Sequence, residues 1–209
     1  MLSTIIAVVI LGAPAPVKVS RLAAHIVRVQ PLARAYSVEL ARRIFVESAA
    51  FGLDPAIMAA IAWIESDYKT GARNSRDGSY GLWQLMARDS YMSRAWASLR
   101  RAGRTTGYPR RSWWGLGARL RWRAMRDVHI STYMAHYEIR EALRICGRMG
   151  HRVSRWAPVR RPRRFHRSRL DRYGHFNSGN RWPFPRYLRA LEHRTKLIRR
   201  VLAKPVDRR

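Results

Sequence analysis

An unbroken apolar run from Pro55 to Ile64 sets the terms for the rest of this chain. Asp54 can cap a helix whose first position is Pro55, where the missing amide proton costs nothing and the fixed φ already suits a helix. A helix with no solvated face must run through the middle of a core. Glu65 follows directly and shares a face with Met58, Ile61 and Ala62, which puts a carboxylate at the end of an apolar stripe. Apolar surroundings and the negative end of the helix macrodipole both raise a carboxyl pKa and favour the protonated acid, a group able to donate a proton. The competing reading is that Glu65 marks the point where the helix emerges into water.

The residues that follow bear on that choice. Gly71, Gly78 and Gly81 punctuate a polar segment containing Asn74, Ser75, Asp77 and Ser79, and the apolar turn Leu82 to Met86 carries one amide, Gln84. Glycines admit close backbone approach and unusual φ values, while Ser, Asn and Gln offer neutral hydrogen-bonding groups suited to sugar hydroxyls and amides. Glu65-Ser66, Ala72 and Gly78-Ser79-Tyr80-Gly81-Leu82-Trp83-Gln84-Leu85-Met86 together resemble the signature of the soluble lytic transglycosylase family, within the lysozyme-like superfamily. His175-Phe176-Asn177-Ser178-Gly179 resembles the family's Ala-Tyr-Asn-Ala-Gly motif, and Asp127 to Tyr137 resembles the helix that links the two. In outline the resemblance spans Phe51 to Leu191, and it is close only in the first motif.

The resemblance implies a lysozyme-like helical domain that cleaves peptidoglycan glycan strands, with Glu65 as the sole catalytic acid and base. It also implies that Ser75, Ser79, Gln84 and Asn177 orient acetamido and hydroxyl groups, and that Tyr80, Gly81, Trp83 and Phe176 line the cleft. Three departures stand out. The spacing from Ala72 to Gln84 is one residue longer than the commonest form, Trp83 replaces a methionine, and Phe176 replaces a tyrosine whose hydroxyl reaches the catalytic glutamate. Tyr173, one helical turn before Phe176, is a candidate to restore that hydrogen bond.

The formal net charge of +29, carried almost wholly by arginine, calls for polyanionic partners. Peptidoglycan with its stem-peptide carboxylates and other anionic wall polymers is one such partner, and nucleic acid is the other. Charge is indifferent between them. Glu65 and the Gly81 to Gln84 turn favour the enzyme, since nucleic-acid affinity gives no reason for a carboxylate at the end of an apolar helix. The single cysteine, Cys146, excludes an intrachain disulfide, and no cluster at metal-ligand spacing implies a metal or other cofactor.

In chain order, residues 1–17 read equally as a signal or membrane-proximal segment and as a segment packed on the domain, with residues 18–209 forming that domain. Helices are expected over Arg21–Gln30, over Ala33–Phe51 with Val38, Ala41, Phe45 and Ala49 inward and Gly52 as the stop, over Pro55–Glu65, and from Asp127 to about Cys146. A final helix opened by Pro185 carries the stripe Leu188, Leu191, Thr195, Ile198, Leu202. Residues 88–126 read as an Arg/Trp-rich insertion in which Trp113, Trp114 and Trp122 either fill core gaps or stack on ligand, and residues 152–172 read as a basic loop. No strand-period segment stands out, so the expected fold is mainly α.

The expected function is therefore lytic transglycosylation between N-acetylmuramic acid and N-acetylglucosamine. A lysozyme-type hydrolase using Asp67 or Asp77 is the nearest alternative, and a non-enzymatic nucleic-acid-binding protein is the more distant one. A wall substrate implies a periplasmic or envelope-associated protein, or a phage virion component.

Overall fold

A computed structural model describes residues 16–75, 78–88, 90–149 and 185–204. The expectations for residues 1–15, for Asp77, for the 152–172 loop and for Tyr173, Phe176 and Asn177 lie outside the described residues. Among those described, the protein is mainly helical: α1 (Pro16–Val29), a 3-10 turn (Pro31–Ala35), α2 (Ser37–Phe51), α3 (Pro55–Ser66), α4 (Ser90–Arg101), α5 (Ala118–Arg126), α6 (Val128–Met149) and α7 (Pro185–Ala203). No helix among them is long and apolar enough to cross a membrane.

The apolar run is the central helix, α3. Asp54 caps it, one carboxylate oxygen accepting from the Ala56 amide at 2.8 Å, and every residue from Ala56 to Ala62 is buried. Helices α2 and α7 pack against it, α1 closes over both of these, and α6 supports α2, α4 and α5. Burying a side chain such as Met58 or Ile61 is worth roughly 1.5–3 kcal/mol, so this helix anchors its neighbours through packing rather than through intrinsic propensity.

Helix α7 runs antiparallel to α3 and is tied to it near both ends. Arg199 donates to the second Asp54 oxygen at 2.6 Å near the start of α3, and Tyr187 reaches Glu65 at its end. Between them the Arg194 guanidinium lies 4.6 Å over the Trp63 ring. From the other side His25 of α1 meets Trp63 edge-on at 4.9 Å, and Tyr68 stacks beside it at 6.4 Å.

One expectation about the elements is corrected. The helix foreseen over Ala33–Phe51 is interrupted at Tyr36, and the buried face of α2 is Ser37, Leu40, Ala41, Ile44, Glu47 and Ser48, while Val38 and Ala49 are exposed. Buried polar residues caused the misreading: Glu47 pairs with Arg104 and Ser48 with His136 at 3.1 Å, so the inward stripe looks hydrophilic in the sequence. The 88–126 stretch contains helices α4 and α5. Met92, Ala95, Trp96 and Leu99 of α4, together with Trp113, are buried, while Trp114 and Trp122 remain exposed.

Candidate active site

Glu65 occupies the last turn of α3 and is half-buried. Beyond it the chain turns at Asp67, whose left-handed conformation (φ 50) ends the helix while its amide closes onto the preceding turn. The Asp67 side chain is exposed and faces Arg194 at 3.9 Å. One Glu65 oxygen accepts a 2.9 Å hydrogen bond from the Tyr187 hydroxyl, contributed by the first turn of α7. A phenol in that position fixes the carboxylate rotamer.

Ser66 joins this helix end to the polar turn. Its hydroxyl lies 2.7 Å from the Leu82 carbonyl and 3.2 Å from the Ala62 carbonyl, both acceptors. The turn is built on a short hairpin: Asn74 N–H donates to Ser79 at 3.0 Å, Gly81 N–H to Ala72 at 2.8 Å, and Tyr80 and Leu85 exchange bonds of 3.0 and 3.1 Å. Gly81 has φ +80, and a Cβ added there would collide with the Met125 carbonyl oxygen at the end of α5. No other residue meets both conditions without displacing the turn.

Gln84 also has positive φ (49), held by its own side chain, whose amide donates to the Gly81 carbonyl at 2.9 Å and accepts from the Ser79 hydroxyl at 3.0 Å. Ser79 is 3% exposed, so its hydroxyl positions Gln84 rather than meeting a ligand directly. Gly81 is buried as well and shapes the turn from inside. Trp83 is corrected outright. Expected in the cleft wall, it is fully buried, donates through Nε1 to the Thr132 hydroxyl at 3.3 Å and meets His136 edge-on at 5.5 Å. The bulkier side chain on this turn thus fills the core against α6. Ser75 is exposed, Gln84 half-buried, and Tyr80 half-buried with its ring stacked on Trp122 at 5.7 Å.

Sequence reasoning missed Tyr187, and named Trp122 as a possible ligand platform without its partner. Tyr187 lies 122 residues from Glu65, at the start of an amphipathic helix, and no local pattern marks it. Trp122 was legible as a tryptophan in a basic stretch, but its partner Tyr80 could not be named without the fold. Among the described residues no three His, Cys, Asp or Glu side chains are grouped to hold a metal ion.

Residues 42–97 match the family model of the transglycosylase SLT domain. The match takes in the second half of α2, all of α3 with Glu65 and Ser66, the hairpin and its turn, and much of α4. No curated protein and no solved structure matches the chain.

Proposed function

We propose, for a chain whose residues 42–97 match the transglycosylase SLT domain model, that the specific reaction is lytic transglycosylation of peptidoglycan. The observation that carries this reading is the Glu65 carboxylate, standing at the end of an apolar helix and oriented by the Tyr187 hydroxyl. Protonated Glu65 gives its proton to the glycosidic oxygen between N-acetylmuramic acid and N-acetylglucosamine as the bond to the muramic anomeric carbon breaks through an oxocarbenium-like state. The resulting carboxylate then takes the proton of the muramic 6-hydroxyl while that oxygen bonds to the anomeric carbon. The acid is regenerated and no water is consumed. Gln84, locked in its turn, and exposed Ser75 are suited to hydroxyl and acetamido groups. Asn177 and Phe176 stay assigned to the cleft by family resemblance.

A hydrolase would need a second carboxylate, either as nucleophile or as the base for a water. Asp67 is turned away by the left-handed end of α3 and faces Arg194, which favours the reaction without water. Such a substrate places the protein in the periplasm or cell envelope, or on a phage particle, with glycan strands and anionic wall polymers as partners. The test is digestion of purified peptidoglycan. Glu65→Gln should abolish cleavage and Asp67→Asn should retain most of it, with products ending in anhydromuramic acid, one water lighter than hydrolytic ends. Reducing ends carrying solvent oxygen, with activity lost in Asp77→Asn, would make the protein a hydrolase. Strong duplex DNA binding without wall cleavage would favour the nucleic-acid reading.

A further inference from the structure

The chain from Ser90 to Arg126 carries ten arginines and no aspartate or glutamate. Where α4 ends, Arg100 and Arg101 of the helix and Thr105, Thr106, Tyr108 and Arg110 of the loop behind it line an open cavity of about 770 Å³. Among the described residues no carboxylate pairs with Arg100, Arg101 or Arg110, in contrast to Arg42, Arg43, Arg104, Arg144 and Arg199. The loop that forms the wall is tied down on both sides. Arg104 pairs with buried Glu47 while its guanidinium rests 4.7 Å over the Tyr133 ring, and the Arg111 carbonyl accepts from Trp96 Nε1 at 2.9 Å. A wall held in this way has little freedom left to lose when a ligand binds. The negative end of α4 is blunted towards an anion, because the carbonyls of Ser98, Leu99 and Arg100 accept from the amides of Ala102, Arg104 and Gly103.

The make-up of the walls selects among anions. Three guanidinium forks around one cavity exceed what the single plane of a carboxylate can engage, whereas the tetrahedral oxygens of a phosphate accept from several directions. The Thr105 and Thr106 hydroxyls can bond phosphate oxygens or ligand hydroxyls. The Tyr108 ring is already engaged, by Trp96 edge-on at 5.5 Å and by the Arg123 guanidinium at 5.3 Å, so it is a poor platform for a nucleobase. Ala97 adds too little aliphatic surface to hold acyl chains or apolar peptide side chains. The ligand that fits is anionic and rich in hydroxyls, without bases. We propose that this cavity binds the phosphodiester of a polyol phosphate of the glycerol phosphate kind. The inference does not rest on the reaction proposed at Glu65: α4 has 12 residues, roughly 18 Å of helix, and the cavity lies at its far end from the turn that carries Gln84. The same phosphodiester occurs in soluble glycerol phosphate polymers and in the headgroup of phosphatidylglycerol.

The experiment titrates the full chain with a short synthetic glycerol phosphate oligomer, and separately with oligogalacturonate of equal charge, at about 0.15 M salt, where charge attraction is screened beyond about 8 Å. The phosphate oligomer should bind about tenfold or more tighter than the carboxylate one. Arg100→Ala with Arg110→Ala should weaken it about tenfold or more, whereas Arg200→Ala with Lys204→Ala, which removes the same charge from exposed positions late in the chain, should weaken it less than about threefold. Thr106→Val leaves the charge unchanged and should still weaken binding about threefold. All the substituted side chains are exposed, and a thermal melt unchanged by the substitutions shows that the fold is intact. Vesicles of phosphatidylglycerol with phosphatidylcholine form the second arm. Retention of the protein on them that is lost with Arg100→Ala and Arg110→Ala assigns the phosphodiester to a lipid headgroup, and binding of the oligomer without such retention assigns it to a soluble polymer. Equal affinity for the phosphate and carboxylate oligomers, equal loss in the two double variants, or tighter binding to duplex DNA than to the phosphate oligomer would each overturn the inference.

Discussion

At the scale of single residues, the site depends on groups with one available solution. Tyr187→Phe removes the donor to Glu65 while keeping the ring, so kcat on peptidoglycan should fall about tenfold or more with KM nearly unchanged, a split that steady-state kinetics reads directly. Gly81→Ala meets both a positive φ and the Met125 carbonyl, and should cost several kcal/mol in a denaturant melt along with most of the activity. Glu65, Ser66 and the Gly81–Gln84 turn were legible because their chemistry is local: a charge ends an apolar helix and glycines mark a tight turn. Trp83 was misjudged for a related reason. A tryptophan on a polar turn reads as a ligand platform until the fold supplies Thr132 as a partner for its indole nitrogen.

At the scale of elements, buried polar contacts determine how helices meet. Glu47 of α2, fully buried, pairs with Arg104 from the loop after α4, and that guanidinium also lies 4.7 Å over the Tyr133 ring of α6. Removing Arg104 leaves buried Glu47 facing only the more distant Arg43, 3.9 Å away, so Arg104→Met should destabilise by about 2–4 kcal/mol in urea unfolding, and Glu47→Leu in the same chain should recover much of the loss. Interactions of this kind hid the true inward face of α2 from periodicity, because a stripe containing Glu47 and Ser48 does not look like core. Helices α3, α6 and α7 were readable from their caps and stripes: Asp127 accepts from the Ile130 amide at 3.0 Å, and Leu191, Thr195 and Ile198 are buried.

At the scale of the whole molecule, two interior histidines couple the fold to pH. His136 donates through Nδ1 to the Thr132 carbonyl at 2.7 Å and accepts from Ser48, and its burial lowers its pKa to about 4. His25 is also lowered to about 4, by burial and by the Arg28 cation that donates to its Nδ1 at 3.0 Å. Both rings are neutral when folded and take up protons near pH 6.5 when unfolded. Their contribution is therefore full above pH 6.5 and shrinks as pH falls toward 4, by on the order of 3 kcal/mol per ring at most. The melting temperature should accordingly drop across pH 6.5 to 4, and less so in His136→Asn. The contact between Tyr187 and Glu65 carries a different kind of consequence, one of timing. A ribosome reaches the glutamate long before the tyrosine, and domains emerge from synthesis N-terminal part first. The nascent chain can build α3 and its neighbouring turn while the carboxylate still lacks its tyrosine, so the proposed bond-cutting group is completed only when α7, whose tyrosine lies 122 residues further on, docks along the central helix.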